Sequence, residues 1–136
     1  MSLTINKPTD PVILLCCAIA SQEGWWDGPG AIPVERKNPG DLRYAGQLNA
    51  SAPGWNGQGE APIATFTSPE TGIAGLFRDI WEKIAKGMTV AQIVDVWAPP
   101  SDGNDTSQYL KDVLAWTGLV ADKPMLEQIA PLVKLG

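Results

Sequence analysis

Nine consecutive apolar residues, Val12 to Ala20, run between Asp10-Pro11 and Ser21-Gln22-Glu23-Gly24. Asp10 offers a side-chain oxygen to the orphan amides of a first helical turn, and Pro11 suits the first helical position because its missing N–H is not needed there. Gly24 is a natural stop. The pattern therefore predicts a helix over residues 11–23. A helix with no polar stripe has no face to give to water and belongs at the centre of a domain. The run is far short of the roughly 20 apolar residues needed to cross a bilayer. Ahead of it stands only Lys7 as a cation, with Asp10 beside the run, a poor signal peptide. Leu15 precedes the first cysteine of Leu-Leu-Cys-Cys, where a lipoprotein cleavage site would need a small residue. The expectation is a core helix in a chain without its own export signal.

The helix ends in a carboxylate. Glu23, on the last turn, would lie at the edge of the apolar core and be partly desolvated, the setting that keeps a general acid protonated near neutral pH. On this stretch alone, a solvated glutamate at a helix end is the plainer alternative. Other carboxylates follow in the loops: Glu35, Asp41 and Glu60. Glycoside hydrolysis commonly pairs an acid with a second carboxylate, although each of these three also reads as an ordinary turn or surface residue.

Composition narrows the chemistry. The chain has 136 residues, the size of one domain (1–136), and 44% are hydrophobic, enough for a sizeable core. A net charge of −5 leaves no basic stripe for nucleic acid and no attraction to an anionic membrane. There is no histidine, which excludes Ser-His-Asp and Cys-His catalysis and His-ligated zinc. The two cysteines are neighbours, Cys16 and Cys17, on the apolar helix. They read as small buried hydrophobes rather than a disulfide framework. No metal and no cofactor is expected.

After the first helix, Trp25-Trp26-Asp27-Gly28-Pro29-Gly30 breaks regular structure, and residues 31–40 read as a loop closing on the turn Asn38-Pro39-Gly40. Asp41–Ala45 and Ile63–Thr67 read as two strands of a small β-hairpin, separated by a long Gly/Asn/Pro-rich loop. From Ser68 the chain turns helical. Ser68 is the N-cap, Pro69 the first position, and Ile73, Leu76, Phe77, Ile80, Trp81 and Ile84 mark one apolar face that assigns Trp81 to the core. On the opposite face Asp79–Lys83 and Glu82–Lys86 have the spacing of supporting pairs. Thr89-Val-Ala-Gln92 is a capping box opening a short helix to about Trp97. Asp105 or Thr106 caps another to about Trp116, with Gly118 after it. A last helix is expected from Asp122 through Met125, Leu126, Ile129, Leu132 and Val133, weakened near Pro131. Six tryptophans are many for this length. Trp25, Trp26, Tyr44, Trp55 and Trp97 fall in or beside loops, where they suit either a sugar-stacking groove or ordinary packing at helix ends.

The segment Pro100-Ser-Asp-Gly-Asn-Asp-Thr106-Ser-Gln-Tyr109-Leu-Lys-Asp-Val113 resembles the last motif of the goose-type lysozyme and lytic transglycosylase group. Thr106, Tyr109 and Val113 match its spacings of three and four residues. Glu23 matches that group's catalytic glutamate, and Asn38-Pro39-Gly40-Asp41-Leu42 stands where it turns into a small sheet. With Arg43-Tyr44, Phe66-Thr-Ser-Pro-Glu-Thr-Gly-Ile73 and Trp97-Ala-Pro-Pro, the order is similar to small lysozyme-like proteins of phage particles and prophages. The resemblance covers about residues 12 to 120. It departs at Gly24, where lytic transglycosylases often carry Ser, at Gly40-Asp-Leu-Arg43 in place of Gly-Leu-Met-Gln, and at Val96-Trp97-Ala98-Pro99 in place of Tyr-Asn-Ala-Gly.

What the resemblance implies is a mainly α (α+β), lysozyme-like fold: a central apolar helix, a small β-hairpin and several surrounding helices. It implies cleavage of the β-1,4 bond between N-acetylmuramic acid and N-acetylglucosamine in peptidoglycan, with Glu23 as catalytic acid. Tyr109, Tyr44, Trp97, Asp41 and Thr65 are the candidate substrate-binding residues. The partners would be glycan strands and, for a monomer carried in a virion, other phage-particle proteins. Two rivals stand beside this: a catalytically silent lysozyme-like phage component, and a helical interaction module with Trp25, Trp26 and Trp97 buried.

Overall fold

A computed structural model describes residues 10–100, 103 and 105–129. Among these residues the protein is mainly helical, with one two-stranded antiparallel sheet. The order is α1 (Pro11–Gln22), α2 (Ile32–Glu35), β1 (Ala50–Ser51), β2 (Thr65–Phe66), α3 (Pro69–Ala85), α4 (Val90–Trp97), α5 (Thr106–Thr117) and α6 (Met125–Ile129). Lys7 and the expected continuation of the last helix through Pro131, Leu132 and Val133 lie outside the described residues. The described residues group into two compact units, one of Ile19–Glu82 and one of the residues before and after it.

Helix α1 forms for the reasons its sequence suggests. Asp10 Oδ1 accepts from the amides of Val12 and Ile13 at 2.9 and 3.1 Å. Val12, Leu14, Leu15, Cys16, Ala18, Ile19 and Ala20 are buried; Ile13 is the exposed exception. Both thiols are free, and burial raises both, Cys16 to about 12. Cys16 therefore behaves as a small hydrophobe.

In the 19–82 unit, the segment expected to be a loop contains α2, with Pro33 in its first turn. The expected hairpin is displaced. Asp41–Ala45 is not a strand: it contributes one bridge, Arg43 to Ile63. The ladder instead joins Ala50 to Phe66 and Ser51 to Thr65. The cause is local. Asp41 and Asn49 take left-handed φ values of 51° and 61°, so the chain is extended neither at the start of the first segment nor just before β1. Helix α3 packs on this hairpin through glycines. A Cβ on Gly75 would lie 2.8 Å from the Phe66 ring, and one on Gly72 would lie 2.0 Å from the Lys37 carbonyl oxygen.

That packing corrects the reading of α3. Leu76, Ile80 and Ile84 are buried, but Ile73, Phe77 and Trp81 are exposed by 50, 36 and 38%. Six apolar positions span more of the helix circumference than one contact takes. The helix is turned toward its Gly72/Gly75 edge, and the Phe77–Trp81 edge is left in water with the two rings edge-to-face at 6.1 Å. On the polar side Glu82 pairs with Arg78 at 3.6 Å. The N-terminus is capped as expected, the Thr71 amide donating to Ser68 Oγ at 3.2 Å.

In the other unit, Thr89 and Gln92 form the capping box of α4. Asp105 rather than Thr106 caps α5, accepting from the Gln108 amide at 3.0 Å, and Gly118 ends that helix in the left-handed region. Helices α4 and α5 pack together, with Val90, Ile93, Val94 and Val113 fully buried. The last helix begins at Met125 rather than Asp122. The Gln128 side chain holds the preceding turn, donating to the Val120 and Lys123 carbonyls and accepting from the Val120 amide.

Candidate functional site

Glu23 is the C-cap residue of α1. Its amide donates to the Ile19 carbonyl at 2.9 Å, completing the last helical turn. Beyond it Gly24 has φ 96°. The Gly24 amide donates to Ser21 O at 3.2 Å and the Trp25 amide to Ala20 O at 3.0 Å. This pair of bonds is a Schellman closure, and it requires the left-handed residue that Gly24 supplies. Glu23 itself is half-buried. Its backbone is thus fixed on both sides while its side chain sits at the margin of the apolar helix. Of the flanking tryptophans, Trp25 is half-buried and Trp26 is 63% exposed. The exposure of Trp26 goes against a module in which all three loop tryptophans are buried.

The hairpin side chains are organised by Asn38, which is completely buried. Its Nδ2 donates to the carbonyls of Leu42 and Ala64, each at 2.9 Å, and its Oδ1 accepts from the Leu42 amide at 2.9 Å. One amide thereby ties the Asn-Pro-Gly turn to the two segments that meet at the Arg43–Ile63 bridge. Asp41 lies inside this turn. Burial raises its carboxyl above the ordinary range, against the lowering effects of the Arg43 and Arg36 guanidiniums. Neither arginine bonds it among the described contacts. Arg36 donates to Ile63 O at 3.1 Å, while Arg43 donates to Ala61 O at 2.7 Å and pairs with Glu60 at 3.1 Å. Asp41 Oδ1 is a buried acceptor with no hydrogen-bond partner.

Tyr44 packs edge-to-face on Trp55, ring centres 6.0 Å apart, and its amide donates to Pro62 O. Thr65, half-buried, sits on β2 opposite Ser51. Strand alternation puts Thr65 and Ser51 on one face, and buried Ala64 and Phe66 on the other. Glu35 and Glu60 are exposed.

Trp97 and Tyr109 belong to the other unit. Trp97 is the last residue of α4, with Lys83 Nζ 5.2 Å from its ring centre. Thr106 Oγ1 donates to Ala98 O at 2.5 Å, which ties the start of α5 to the end of α4. Tyr109 lies in the first turn of α5, half-buried, its amide donating to Asp105 O at 3.0 Å. Thr106, Tyr109 and Val113 have distinct tasks there: fastening, partial exposure and core.

The structure thus places Glu23, Asp41, Tyr44 and Thr65 in one unit and Trp97 and Tyr109 in the other. Within the first, it groups Asp41 with Arg36 and Arg43, and Tyr44 with Trp55. Nothing in the sequence pattern marks Arg36 or Asn38 as members of this neighbourhood. The single available signal is the Asn-Pro-Gly turn, whose first residue favours side-chain bonds to nearby backbone. Among the described residues no cluster of three or more cysteine or carboxylate side chains is placed to hold a metal ion. Comparison with family models, with curated proteins and with solved structures finds no match to this chain.

Proposed function

We propose that this protein cleaves the glycan strands of peptidoglycan at the β-1,4 bond between N-acetylmuramic acid and N-acetylglucosamine, on a lysozyme-like fold, with Glu23 as general acid. The observation that carries the reading is Glu23 itself: a half-buried glutamate at the C-cap of an apolar helix, its backbone fixed by the Gly24 closure. A helix C-terminus disfavours added negative charge, and partial burial acts in the same direction. Glu23 gives its proton to the leaving glycosidic oxygen. The resulting carboxylate takes a proton back from the attacking group, either water or the muramic 6-hydroxyl. In the second case the product is the anhydro sugar and no second carboxylate is needed. Tyr44 and Asp41 beside the hairpin, Thr65 on β2, and Trp97 and Tyr109 at the α4–α5 junction are assigned to substrate contacts. Tyr109 and Trp97 rest on the motif resemblance alone.

The test is Glu23→Gln, which keeps shape and removes the proton. Clearing of purified peptidoglycan should fall by about a hundredfold or more, with the melting temperature unchanged. Wild-type clearing by this variant removes Glu23 from the mechanism. Mass spectrometry of the released ends separates hydrolase from transglycosylase. The second reading is a glycan-binding phage-particle component without activity, favoured by the departures from the family's signature at Gly24, at Gly40-Asp-Leu-Arg43 and at Val96-Trp97-Ala98-Pro99. It predicts binding to peptidoglycan with no release of reducing or anhydro ends.

A further inference from the structure

A groove of about 370 Å³ lies within the 19–82 unit, between the turn at residues 45–49 and the polar side of α3. Its volume is in the range of small-ligand sites, roughly 300 Å³ upward. The turn wall is held rigidly by Gln47. Its Oε1 accepts from the Ala45 amide and its Nε2 donates to Arg43 O, both at 2.8 Å. Asn49 closes the turn in the left-handed region, and its carbonyl accepts from the Thr67 amide. A wall fixed in this way loses little entropy when a ligand arrives.

The two walls carry complementary functions. On the turn, Leu48 is 78% exposed and offers an aliphatic surface, and the Asn49 side-chain amide is solvent-facing. On the helix, Ala74 gives a low floor, with Arg78 and Glu82 one and two turns further along and Asp79 adding a second carboxylate to the lining. Their ion pair is long, 3.6 Å, and both side chains are more than half exposed, so it is weak and easily exchanged for ligand groups. A guanidinium beside a carboxylate matches a ligand that carries an ammonium beside a carboxylate. An amide matches a peptide bond, and the aliphatic rim matches a methylene stem.

We propose that this groove binds a short peptide at a residue whose side chain ends in a free ammonium beside a carboxylate, with Arg78 on that carboxylate, Glu82 on that ammonium and Asn49 on the adjoining peptide bond. The peptide class that carries such a group on a glycan is the stem peptide of peptidoglycan. That identification rests on the function proposed above; the chemistry of the groove does not. Glu23 would act on the glycan, and this groove would select strands that still carry their peptides.

Calorimetry on the full chain carrying Glu23→Gln tests this with three probes: a disaccharide tetrapeptide with a free side-chain amino group, the same molecule N-acetylated at that amine, and the disaccharide alone. The free amine should bind about tenfold more tightly than either of the others. Glu82→Gln should remove most of the preference over the acetylated peptide and Arg78→Ala most of the preference over the bare disaccharide, with far-UV circular dichroism unchanged because both residues are exposed. Equal affinity for all three probes, or an unaltered preference in both variants, overturns the proposal. Loss of wall clearing in Arg78→Ala is not the readout. A chain that binds the peptide but never cleaves glycan keeps this site and sinks the proposed activity; a chain that cleaves glycan without the amine preference does the reverse.

Discussion

The side chain of Asn38 and the backbone of Leu42 bond each other in both directions. Asn38 Nδ2 donates to Leu42 O and Asn38 Oδ1 accepts from Leu42 N, each at 2.9 Å, with Asn38 wholly buried. A third bond, to Ala64 O, carries the same amide across to the segment that leads into β2. Asn38→Ala should leave the Leu42 amide and the Ala64 carbonyl without these partners in a dry site. A loss of about 2–4 kcal/mol is expected, read from urea unfolding with an unchanged m-value. Asn38→Asp should be at least as damaging, because a carboxylate cannot donate to two carbonyls. An unfolding midpoint within error of wild type for Asn38→Ala removes the staple role.

Asp41 has a carboxyl raised by burial and an orphaned oxygen. An acid whose folded value lies above its unfolded one is most favourable to folding while protonated, below its unfolded value near 4. It loses that advantage as pH rises through its folded value. Asp41→Asn removes the ionisation, and asparagine accepts the left-handed φ of 51°. The variant should be more stable than wild type at pH 7, where the wild-type carboxyl pays for ionising in its buried site. That gain should shrink toward zero as pH falls to 4 and below. Thermal melts of both proteins between pH 3 and 7 check it; a gain that grows on acidification has the wrong sign for this account.

Gly24 separates a backbone effect from a site effect. Gly24→Ala forces a side chain into φ 96° and puts its Cβ 3.0 Å from Asp27 Oδ2. Gly28 has a similar φ of 88° with nothing within 4 Å of an added Cβ. Each substitution should cost about 1 kcal/mol for the conformation. Only Gly24→Ala should also lower the rate of peptidoglycan clearing, because it disturbs the closure that fixes Glu23. Equal loss of clearing in both variants defeats the positioning argument.

Gly72→Ala should be among the most damaging single-methyl changes in the chain. Its Cβ would stand 2.0 Å from a backbone oxygen of Lys37 and 2.9 Å from Pro39 Cδ, and backbone cannot swing aside as a side chain can. A cost of about 3 kcal/mol is expected. Gly87→Ala, with φ 79° and open space around it, is the control at about 1 kcal/mol. Chemical denaturation of the pair measures the difference.

Much of the helical architecture was legible from residues that act locally. Asp10, Ser68 and Thr89 with Gln92 are caps whose bonds reach two or three residues along the chain, so spacing alone places them, and it narrows the cap of α5 to Asp105 or Thr106. Gly24 and Gly118 end their helices for an equally local reason, the freedom to take positive φ. Glu23 could be singled out because an uninterrupted apolar run ends within one helical turn of it. These are properties of one helical turn, and one turn is visible in a sequence.

The hairpin and the outer side of α3 were decided by tertiary contacts. The β pairing goes to Ala50–Ser51 because Asp41 and Asn49 bend the chain, a choice that alternation of apolar residues does not encode. Trp81 and Phe77 look like core in a helical projection. They are exposed because α3 turns its Gly72/Gly75 edge to the hairpin, and that preference exists only once Phe66 and the Lys37 carbonyl are there to be met. Asp41 next to Arg36 and Arg43, and Arg78 and Glu82 across from Leu48, are likewise products of folding. Caps and stops depend on bonds within a few residues, whereas rotation of a helix and register of a strand depend on which distant surface fits, and only the assembled chain supplies that surface.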